Sequence, residues 1–237
     1  MSDIDLYQKS PDHYDSLQNK RPDYVGANVS FLKLALKYLK EKKDVVIADF
    51  CCGVGKNSKQ LAENLSVKSA ILVDINGEFL RIAKESGIKA ELIVEESDIL
   101  KAKFPPHKAD VVISMFAYHH VEDKDKILYI RKAKDALKSG GLFVLGEIYS
   151  PDSDTTLSYY KHLILSIPQI DRSKELENFL MQTAQSDDFE FKVPKNFADK
   201  QLTESGFELL ESDKIWPKDK TFAPDIGTFV EVWQLKN

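Results

Sequence analysis

The chain has little cysteine, no long apolar run and no excess of positive charge, and each absence excludes a class of protein. Its two cysteines, Cys51 and Cys52, are adjacent, so they cannot cross-link distant parts of a fold. The longest apolar runs, such as Val45–Ala48 and Ile71–Val73, are far shorter than the ~20 residues that cross a bilayer. The polar start, Met1–Asp3, lacks the apolar stretch of a signal peptide. We therefore expect a cytoplasmic protein without membrane spans or disulfides.

The charge balance makes nucleic acid an unfavourable partner. Acidic residues number 38 and basic residues 33, which gives a net charge of −5. A protein that follows phosphate backbones normally carries a basic excess. The spacing of His, Cys, Asp and Glu along the chain matches no metal motif, so no metal ligand is predicted. The apolar fraction of 43% is large enough to build a sizeable core.

Strand and helix patterns alternate along the chain, which predicts an α/β fold. Short continuous apolar runs indicate strands buried on both faces, and helical periodicity indicates the elements between them. The predicted strands are Val45–Phe50, Ala70–Asp74, Ala90–Glu95, Ala109–Met115, Leu142–Ile148, Phe207–Trp216 and Phe229–Leu235. Helical connections between the first five strands predict a parallel sheet with helices on both faces.

A long connection separates the fifth predicted strand from the last two. Residues 153–193 contain two helical patterns, Thr155–Ile167 and Ser173–Gln185. Connections of this length in a compact domain are often lids or binding elements. We therefore read residues 1–237 as a single domain with a helical lid insertion at about residues 153–193.

The turn after the first strand has the composition of a ligand-binding site. Gly53 and Gly55 allow the backbone to turn sharply and let a ligand approach it closely. The turn follows the carboxyl end of a strand, where open parallel sheets bind ligands. Ser58 stands where the dinucleotide motif needs a third glycine, and Lys56 lacks the spacing of a P-loop. A ligand with nucleoside and amino-acid parts fits better than a pyrophosphate.

An acidic residue at the end of the next strand strengthens this interpretation. Asp74 lies about 20 residues beyond the glycine turn, where doubly wound folds place an acid for ribose hydroxyls. A carboxylate there can accept hydrogen bonds from both vicinal hydroxyls. The alternative is that Asp74 serves only the start of the following helix.

Together these residues resemble the first motif of the class I S-adenosylmethionine (SAM)-dependent methyltransferases, roughly two hydrophobic residues and then Asp-x-Gly-x-Gly-x-Gly. The matching positions are Asp49, Cys51, Gly53 and Gly55, and Cys51 departs from the pattern because it replaces the first glycine. Three later segments resemble the family's third-strand, fourth-strand and fifth-strand landmarks in the right order: Glu96–Leu100, Lys108–Val121 and Ala136–Glu147.

The resemblance implies a Rossmann-like, doubly wound, mostly parallel sheet of seven strands whose last strand is antiparallel. It also implies SAM as cofactor and S-adenosylhomocysteine as product. Asp49 is expected either to be structural or to lie near the amino group of the methionine part, where a carboxylate favours a cation. Asp98 is expected at the adenine amino group, with Ser97 or Ile99 as alternatives one residue away. The cofactor-binding residues are predicted to be Asp49, Cys51, Gly53, Gly55, Asp74, Ile75, Ser97, Asp98, Ile99 and Ser114. In related small-molecule enzymes an N-terminal segment folds over the cofactor, and residues 1–43, which include Tyr7, are expected to form such a cap.

Two histidines follow the fourth predicted strand at the mouth of this site. A neutral imidazole can remove a proton from an acceptor, so His119 is a candidate general base. The alternative is that one histidine packs and the other caps the chain or contacts solvent. The candidate acceptor-binding residues are Tyr14, Phe116, Tyr118, His120 and Glu147, although core packing is the more frequent fate of a single aromatic residue.

The predicted reaction is in-line displacement at the SAM methyl carbon by an O, N or C nucleophile of a small molecule. Because a sulfonium is a good leaving group, alignment and removal of water do most of the work. The alternatives are an RNA or protein methyltransferase, a SAM-dependent enzyme without methyl transfer, and a non-catalytic SAM-binding module. A monomer or a homodimer is expected.

Overall fold

The computed structural model describes residues 11–186 and 189–236, and within them it contains seven strands and eight α-helices. The strands are β1 (Val45–Phe50), β2 (Val67–Asp74), β3 (Glu91–Glu96), β4 (Ala109–Met115), β5 (Leu137–Tyr149), β6 (Phe207–Trp216) and β7 (Gly227–Leu235). The helices are α1 (Pro11–Gln18), α2 (Pro22–Leu39), α3 (Lys56–Asn64), α4 (Gly77–Glu85), α5 (Lys126–Ala136), α6 (Ser153–Ser166), α7 (Lys174–Gln185) and α8 (Lys195–Glu204). No helix among the described residues is both long and apolar enough to cross a membrane.

All seven strands form one sheet in the order β3-β2-β1-β4-β5-β7-β6. The five strands from β1 to β5 pair in parallel, and β7 runs antiparallel to both β5 and β6. The predicted doubly wound sheet with an antiparallel last strand is therefore confirmed. The strand order reverses between β1 and β4, and the carboxyl ends of these strands flank the crevice in which such folds bind ligands.

Alternating side chains along the strands feed two separate cores, one on each face of the sheet. On one face, Ile47 of β1 and Ile113 of β4 pack against α2, α3 and α4. On the other face, Phe50 of β1 and Val112 of β4 pack against α5 and α8. Because both faces are covered, these strands carry apolar residues without interruption, which is why their pattern was readable in the sequence.

A third cluster lies at the carboxyl edge of the sheet and joins the lid to the N-terminal segment. It combines Tyr160 and Leu163 of α6, Leu180 of α7, Leu17 of α1 and Ile148 of β5. The predicted lid is thus two packed helices anchored on the end of β5. The predicted cap divides into two parts, because α1 joins this cluster whereas α2 packs against the sheet. Tyr7 lies outside the described residues.

The main boundary that differs from the sequence prediction is the start of β5. The strand begins at Leu137, which pairs with Ala109, and continues through Gly140 instead of starting at Leu142. A register shift between Ala109 and Val111 accommodates the glycine turn inside the strand, and Gly140 has a φ of 70°. A glycine pair normally marks the end of an element, but here it forms an irregularity that the ladder spans.

Two residues on α2 provide a matched test of its role as part of the core. Phe31 is fully buried beneath the sheet, and Val29, two residues earlier, is 66% exposed. We expect Phe31→Ala to lower the free energy of unfolding by about 3–5 kcal/mol, the usual cost of an emptied aromatic site. Val29→Ala should change it by less than about 0.5 kcal/mol. Urea unfolding followed by circular dichroism measures both, and equal effects would show that α2 is a detachable cap.

Candidate functional site

The turn between β1 and α3 adopts the left-handed backbone that its glycines permit. Gly53 and Gly55 have φ values of 53° and 72°, and Cys51 has a φ of 53°. A Cβ on Gly53 would meet no atom within 4 Å, whereas one on Gly55 would lie 3.1 Å from the Ala83 Cβ. Gly55 therefore allows close packing against α4, and Gly53 leaves open space above the turn. Cys51 occupies the position of the missing first glycine at a conformational cost of order 1 kcal/mol.

Asp74 fastens this turn to the end of β2. Its Oδ2 accepts a hydrogen bond from the Gly53 backbone N–H at 2.8 Å, and its Oδ1 accepts one from the Asn76 N–H at 2.9 Å. Asn76 in turn caps α4 by accepting from the Glu78 N–H, as its position in the sequence predicted. The carboxylate is buried at 1% exposure yet lines the adjoining cavity. The structure thus brings the two strongest sequence signals into direct contact.

Asp49 lies deeper, at the end of β1. Its Oδ2 accepts a hydrogen bond from the Ser58 hydroxyl at 2.7 Å. Burial raises the pKa of Asp49 to about 7, because desolvation, and to a smaller extent the charge of Asp74, disfavour the carboxylate more than the hydrogen bonds from Ser58 favour it. The side chain is therefore poised between charge states near neutral pH, where a nearby cation would favour the charged form.

Three adjoining cavities open along the carboxyl edge of the described sheet. The outer cavity follows the ends of β2 and β3, and its lining includes Asp74, Ile75, Ser97, Asp98, Ile99 and Cys51. The central cavity lies over the glycine turn, and its lining includes Asp49, Gly53, Tyr14, Tyr24, Met115 and Phe116. The inner chamber lies beneath the lid, and its lining includes Tyr14, Arg21, Phe116, His119, Tyr160 and Glu190.

The outer cavity combines one exposed apolar side chain with polar groups. Ile75, directly after Asp74, is 67% exposed, although isoleucine side chains are usually buried. Asp98 accepts a hydrogen bond from the Leu100 N–H at 3.0 Å and lies 3.3 Å from the Lys101 ammonium. An exposed apolar side chain can pack against a flat heteroaromatic ring, and the nearby carboxylates can accept hydrogen bonds from its amino and hydroxyl substituents.

The aromatic rings that wall the inner chamber lie close to a buried ion pair. Arg21 binds the Asp23 carboxylate at 2.7 Å, and both side chains are almost completely buried. The Arg21 guanidinium also lies 5.9 Å from the centroid of Phe116 and 5.8 Å from that of Tyr160. Tyr24 stacks on Phe116 with a centroid separation of 5.3 Å. Rings and cation together form a rigid wall where the chamber meets the central cavity.

His119 is held in one orientation by a buried carboxylate. Its Nδ1 is hydrogen-bonded to Glu147 Oε1, and its backbone N–H donates to Glu147 Oε2 at 3.0 Å. Burial lowers the pKa of the imidazole well below its usual value, so the ring is neutral at pH 7. With the Nδ1 proton donated to Glu147, the lone pair lies on Nε2, which is 3.6 Å from Glu190 Oε2 at the chamber wall.

His120 contributes to the walls of all three cavities. Its Nδ1 lies 3.0 Å from the Phe189 carbonyl oxygen, and its ring stacks on the Phe189 ring with centroids 4.1 Å apart. The adjacent histidines thus differ, since His119 is buried and His120 faces the cleft at the point where the cavities meet.

Several predicted site residues do not reach the cleft surface. Ser114 is buried and exchanges a hydrogen bond of 2.7 Å with the Tyr129 hydroxyl. Tyr118 packs in the core, and its hydroxyl donates to Gln201 at 3.1 Å. Glu147 is also buried and acts on the chamber through His119. Packing, the alternative named for single aromatic residues, is what the structure gives for Tyr118.

Residues 189–192 fall within the predicted lid insertion, but the sequence did not single out Phe189, Glu190 or Lys192 as site residues. Phe189 and Glu190 reach His119 and His120 across about 70 residues of chain, and Lys192 pairs with Glu190. These residues lie in an irregular stretch before α8 that carries no periodicity and no motif. The expectation of no metal ligands also rested on spacing alone, which does not detect a cluster assembled from two distant segments.

Comparison with known proteins agrees with the geometry of the turn. Residues 47–141 match the family model of a methyltransferase domain, a range that runs from β1 into β5. An uncharacterized methyltransferase of Anoxybacillus flavithermus is 24% identical over 144 residues, which cover 61% of this chain and 66% of the relative. This part of the chain is therefore similar in sequence to methyltransferase domains.

Solved structures share the fold of this chain at low sequence identity. The 1,6-didemethyltoxoflavin-N1-methyltransferase of Burkholderia thailandensis, crystallised with 1,6-didemethyltoxoflavin and S-adenosylhomocysteine, has a TM-score of 0.59 at 13% identity and covers 89% of this chain and 79% of its own. The [4+2]-cyclase SpnF has a TM-score of 0.62 at 12% identity, with coverages of 87% and 80%. Because the two bear names of different reactions, these likenesses show the fold alone.

The raised pKa of Asp49 gives a prediction for how the stability of this protein depends on pH. A carboxyl that titrates near 7 when folded and near 3.8 when unfolded binds its proton more tightly in the folded state. Its contribution to stability is therefore present below about pH 4 and is lost as the pH rises to about 7. Asn cannot ionise, so the stability of Asp49→Asn relative to the unsubstituted protein should rise across that window, by at most about 4 kcal/mol.

Urea unfolding of both proteins at about pH 5 and about pH 7 measures this difference. Asp98→Asn serves as the control, since the carboxylate that it removes is far more exposed. A relative stability of Asp49→Asn that stays constant with pH would contradict the raised pKa.

Proposed function

We propose that this protein transfers the methyl group of SAM to a nucleophilic atom of a small molecule held in the inner chamber. The observation that carries the proposal is the arrangement of the three cavities. The outer and central cavities share Cys51 and His120 in their walls, and the central cavity and inner chamber share Tyr14, Phe116 and His120. An extended cofactor along the first two would present its central atoms to the third.

The residues of the outer and central cavities suit the parts of SAM. Asp74 would accept from the ribose hydroxyls, and Asp98, with Ile75 and Ile99 nearby, would hold the adenine. Asp49 lies where the ammonium of the methionine part would favour its charged form. The open space above Gly53 lets the ligand approach the turn closely. When bound, SAM supplies an electrophilic methyl carbon on a sulfonium leaving group.

The enclosure of the inner chamber supports a small acceptor. Its walls come from α1, from Arg21 just before α2, from the residues after β4, from Ile148 of β5, from α6 and α7 and from the segment before α8, so α1 and the predicted lid cover the chamber. Its free volume is about 30 Å³, room for little more than a water molecule, and an acceptor enters only as the walls move. A duplex or a folded protein surface would not fit under this roof without its removal.

The chamber chemistry favours a planar acceptor that carries a hydroxyl or a ring N–H. Tyr14, Phe116 and Tyr160 offer aromatic faces, and His119 Nε2 is an acceptor directed to the chamber wall. In the proposed reaction the acceptor heteroatom forms a bond to the methyl carbon, and the carbon–sulfur bond breaks with its electron pair left on sulfur. The proton of the acceptor passes to His119 Nε2, and Glu147 stabilises the resulting imidazolium.

Transfer of label from isotopically labelled SAM to a whole-cell extract tests the substrate class. The proposal expects label in the dialysable fraction, with formation of S-adenosylhomocysteine. Label retained in RNA or in protein would contradict the small-molecule acceptor. Cofactor binding without any turnover would favour a non-methylating role, which the named cyclase makes a real alternative within this fold.

Substitution of Asp74 tests the cofactor assignment. We expect Asp74→Ala to weaken S-adenosylhomocysteine binding by about 1–3 kcal/mol, because the ribose hydroxyls and the Gly53 N–H lose their acceptor. Isothermal titration calorimetry measures the change. Asp110→Ala is the matched control: Asp110 is also a buried acid that accepts from a backbone N–H, that of Val46, but it lies at the amino end of β4. Equal effects of the two substitutions would remove Asp74 from the cofactor site.

Substitution of His119 tests the proposed base. We expect His119→Ala to lower kcat by about 10²–10⁴ while the affinity for S-adenosylhomocysteine is preserved. Glu147→Gln should lower kcat less, because the amide oxygen still accepts from Nδ1 but carries no charge to stabilise an imidazolium. Steady-state kinetics over a range of pH measure both. A near-normal kcat for His119→Ala would show that alignment alone drives transfer, and the methyltransferase proposal would remain.

A further inference from the structure

His119, His120 and Glu190 form a cluster at the wall of the inner chamber with the composition of a metal site. Each offers one ligand atom, and the three atoms all lie within 4.8 Å of one another. The histidines belong to the 3₁₀ turn after β4, and Glu190 comes from the segment that precedes α8. Two imidazoles and one carboxylate are a common ligand set for divalent transition metals.

The Nδ1 atoms of the two histidines are engaged differently. His119 Nδ1 binds Glu147 outside the cluster, whereas His120 Nδ1 lies 3.0 Å from the Phe189 carbonyl oxygen and 3.9 Å from Glu190 Oε1 within it. The hydrogen bond to Glu147 fixes the His119 ring and leaves its Nε2 lone pair for a metal, and metal-binding histidines almost always have such a partner. A carboxylate and a backbone carbonyl are the usual partners, and this site supplies one of each.

The spacing of His119 and Glu190 also fits shared coordination. His119 Nε2 and Glu190 Oε2 are 3.6 Å apart, which is too long for a hydrogen bond. Two ligands with bonds of about 2.1 Å to one tetrahedral ion lie about 3.4 Å from each other. Both side chains are about 6% exposed, so the pair is held away from bulk water.

We propose that His119, His120 and Glu190 bind a divalent first-row transition-metal ion of the zinc type. Three protein ligands leave at least one coordination position for another ligand, as in catalytic zinc sites. The three residues line the inner chamber, so that position is available to a heteroatom in the chamber. The consequence for catalysis rests on the proposed methyl transfer: an acceptor oxygen or nitrogen bound to the metal has a lowered pKa and releases its proton to water, so that no free imidazole is needed to take the proton.

The charges around the cluster set the conditions for binding. Lys192 forms a buried ion pair with Glu190, Lys126 lies near Glu147, and Asp123 lies 3.8 Å from Lys126. Lys192 neutralises Glu190 when no metal is present and therefore competes with the ion. Lys192→Met is accordingly expected to tighten metal binding, whereas loss of a ligand should weaken it.

Metal titration of the chelator-treated full-length protein tests the site without any cofactor. Calorimetry with ZnCl₂ is expected to give one ion per chain, and CoCl₂ is expected to give the visible absorption of a site with nitrogen and oxygen ligands. His120→Ala and Glu190→Gln should each weaken zinc binding by more than about tenfold, and Glu147→Gln by about 10-fold to 100-fold through its hold on His119.

His107→Asn is the control. His107 lies just before β4, at the opposite edge of the sheet, and asparagine tolerates the φ of 55° at this position. Its zinc affinity should be unchanged, and circular dichroism should show that all variants are folded. The absence of saturable binding, or equal affinity in the ligand variants and the control, would overturn the proposal. Binding of S-adenosylhomocysteine by the same metal-free protein reports on the proposed function separately, so either proposal can fail alone.

Discussion

The carboxylate of Asp74 holds two backbone amides, and the geometry of the cleft depends on that hold. One amide belongs to the glycine turn after β1 and the other to the start of α4, so a single side chain fixes the ends of two neighbouring parallel strands. The turn can then keep its left-handed residues, Cys51 among them, because the surrounding contacts determine them. Loss of this carboxylate would loosen the wall and remove a polar contact of the cavity together.

The features that could be predicted from the sequence are those that depend on residues close together in the chain. The β1 strand, the turn at Gly53 and the cap at Asn76 were read from the sequence because each depends on neighbours within a few residues. The side chain of Tyr118, in the 3₁₀ turn after β4, points into the core and not into the cleft. The neighbouring residues in the sequence do not indicate which of these two directions the side chain takes. Glu190 lies in an irregular segment that carries no sequence pattern. Its contact with His119 forms only when the lid packs on the sheet, so the sequence does not reveal it.

Each buried polar group around the inner chamber has a partner that satisfies its charge or its hydrogen bond. Arg21 is paired with Asp23, Glu190 with Lys192, and Glu147 with the neutral ring of His119. Buried charges are tolerated when they are paired and hydrogen-bonded, and their geometry is then rigid. The aromatic residues fill the space between these pairs, so the chamber presents fixed polar points within an otherwise apolar wall. Such a surface discriminates among acceptors by where their heteroatoms lie.

The position of His120 in the walls of all three cavities has a thermodynamic consequence. A ligand that shifts this imidazole from one side changes the surface met by a ligand on the other side. The affinities of the two ligands are then coupled, and the coupling is reciprocal. Each ligand changes the affinity of the protein for the other by the same factor. Under the proposed function, the affinities for cofactor and acceptor are therefore linked through this one ring, which also stacks on Phe189 of the segment before α8.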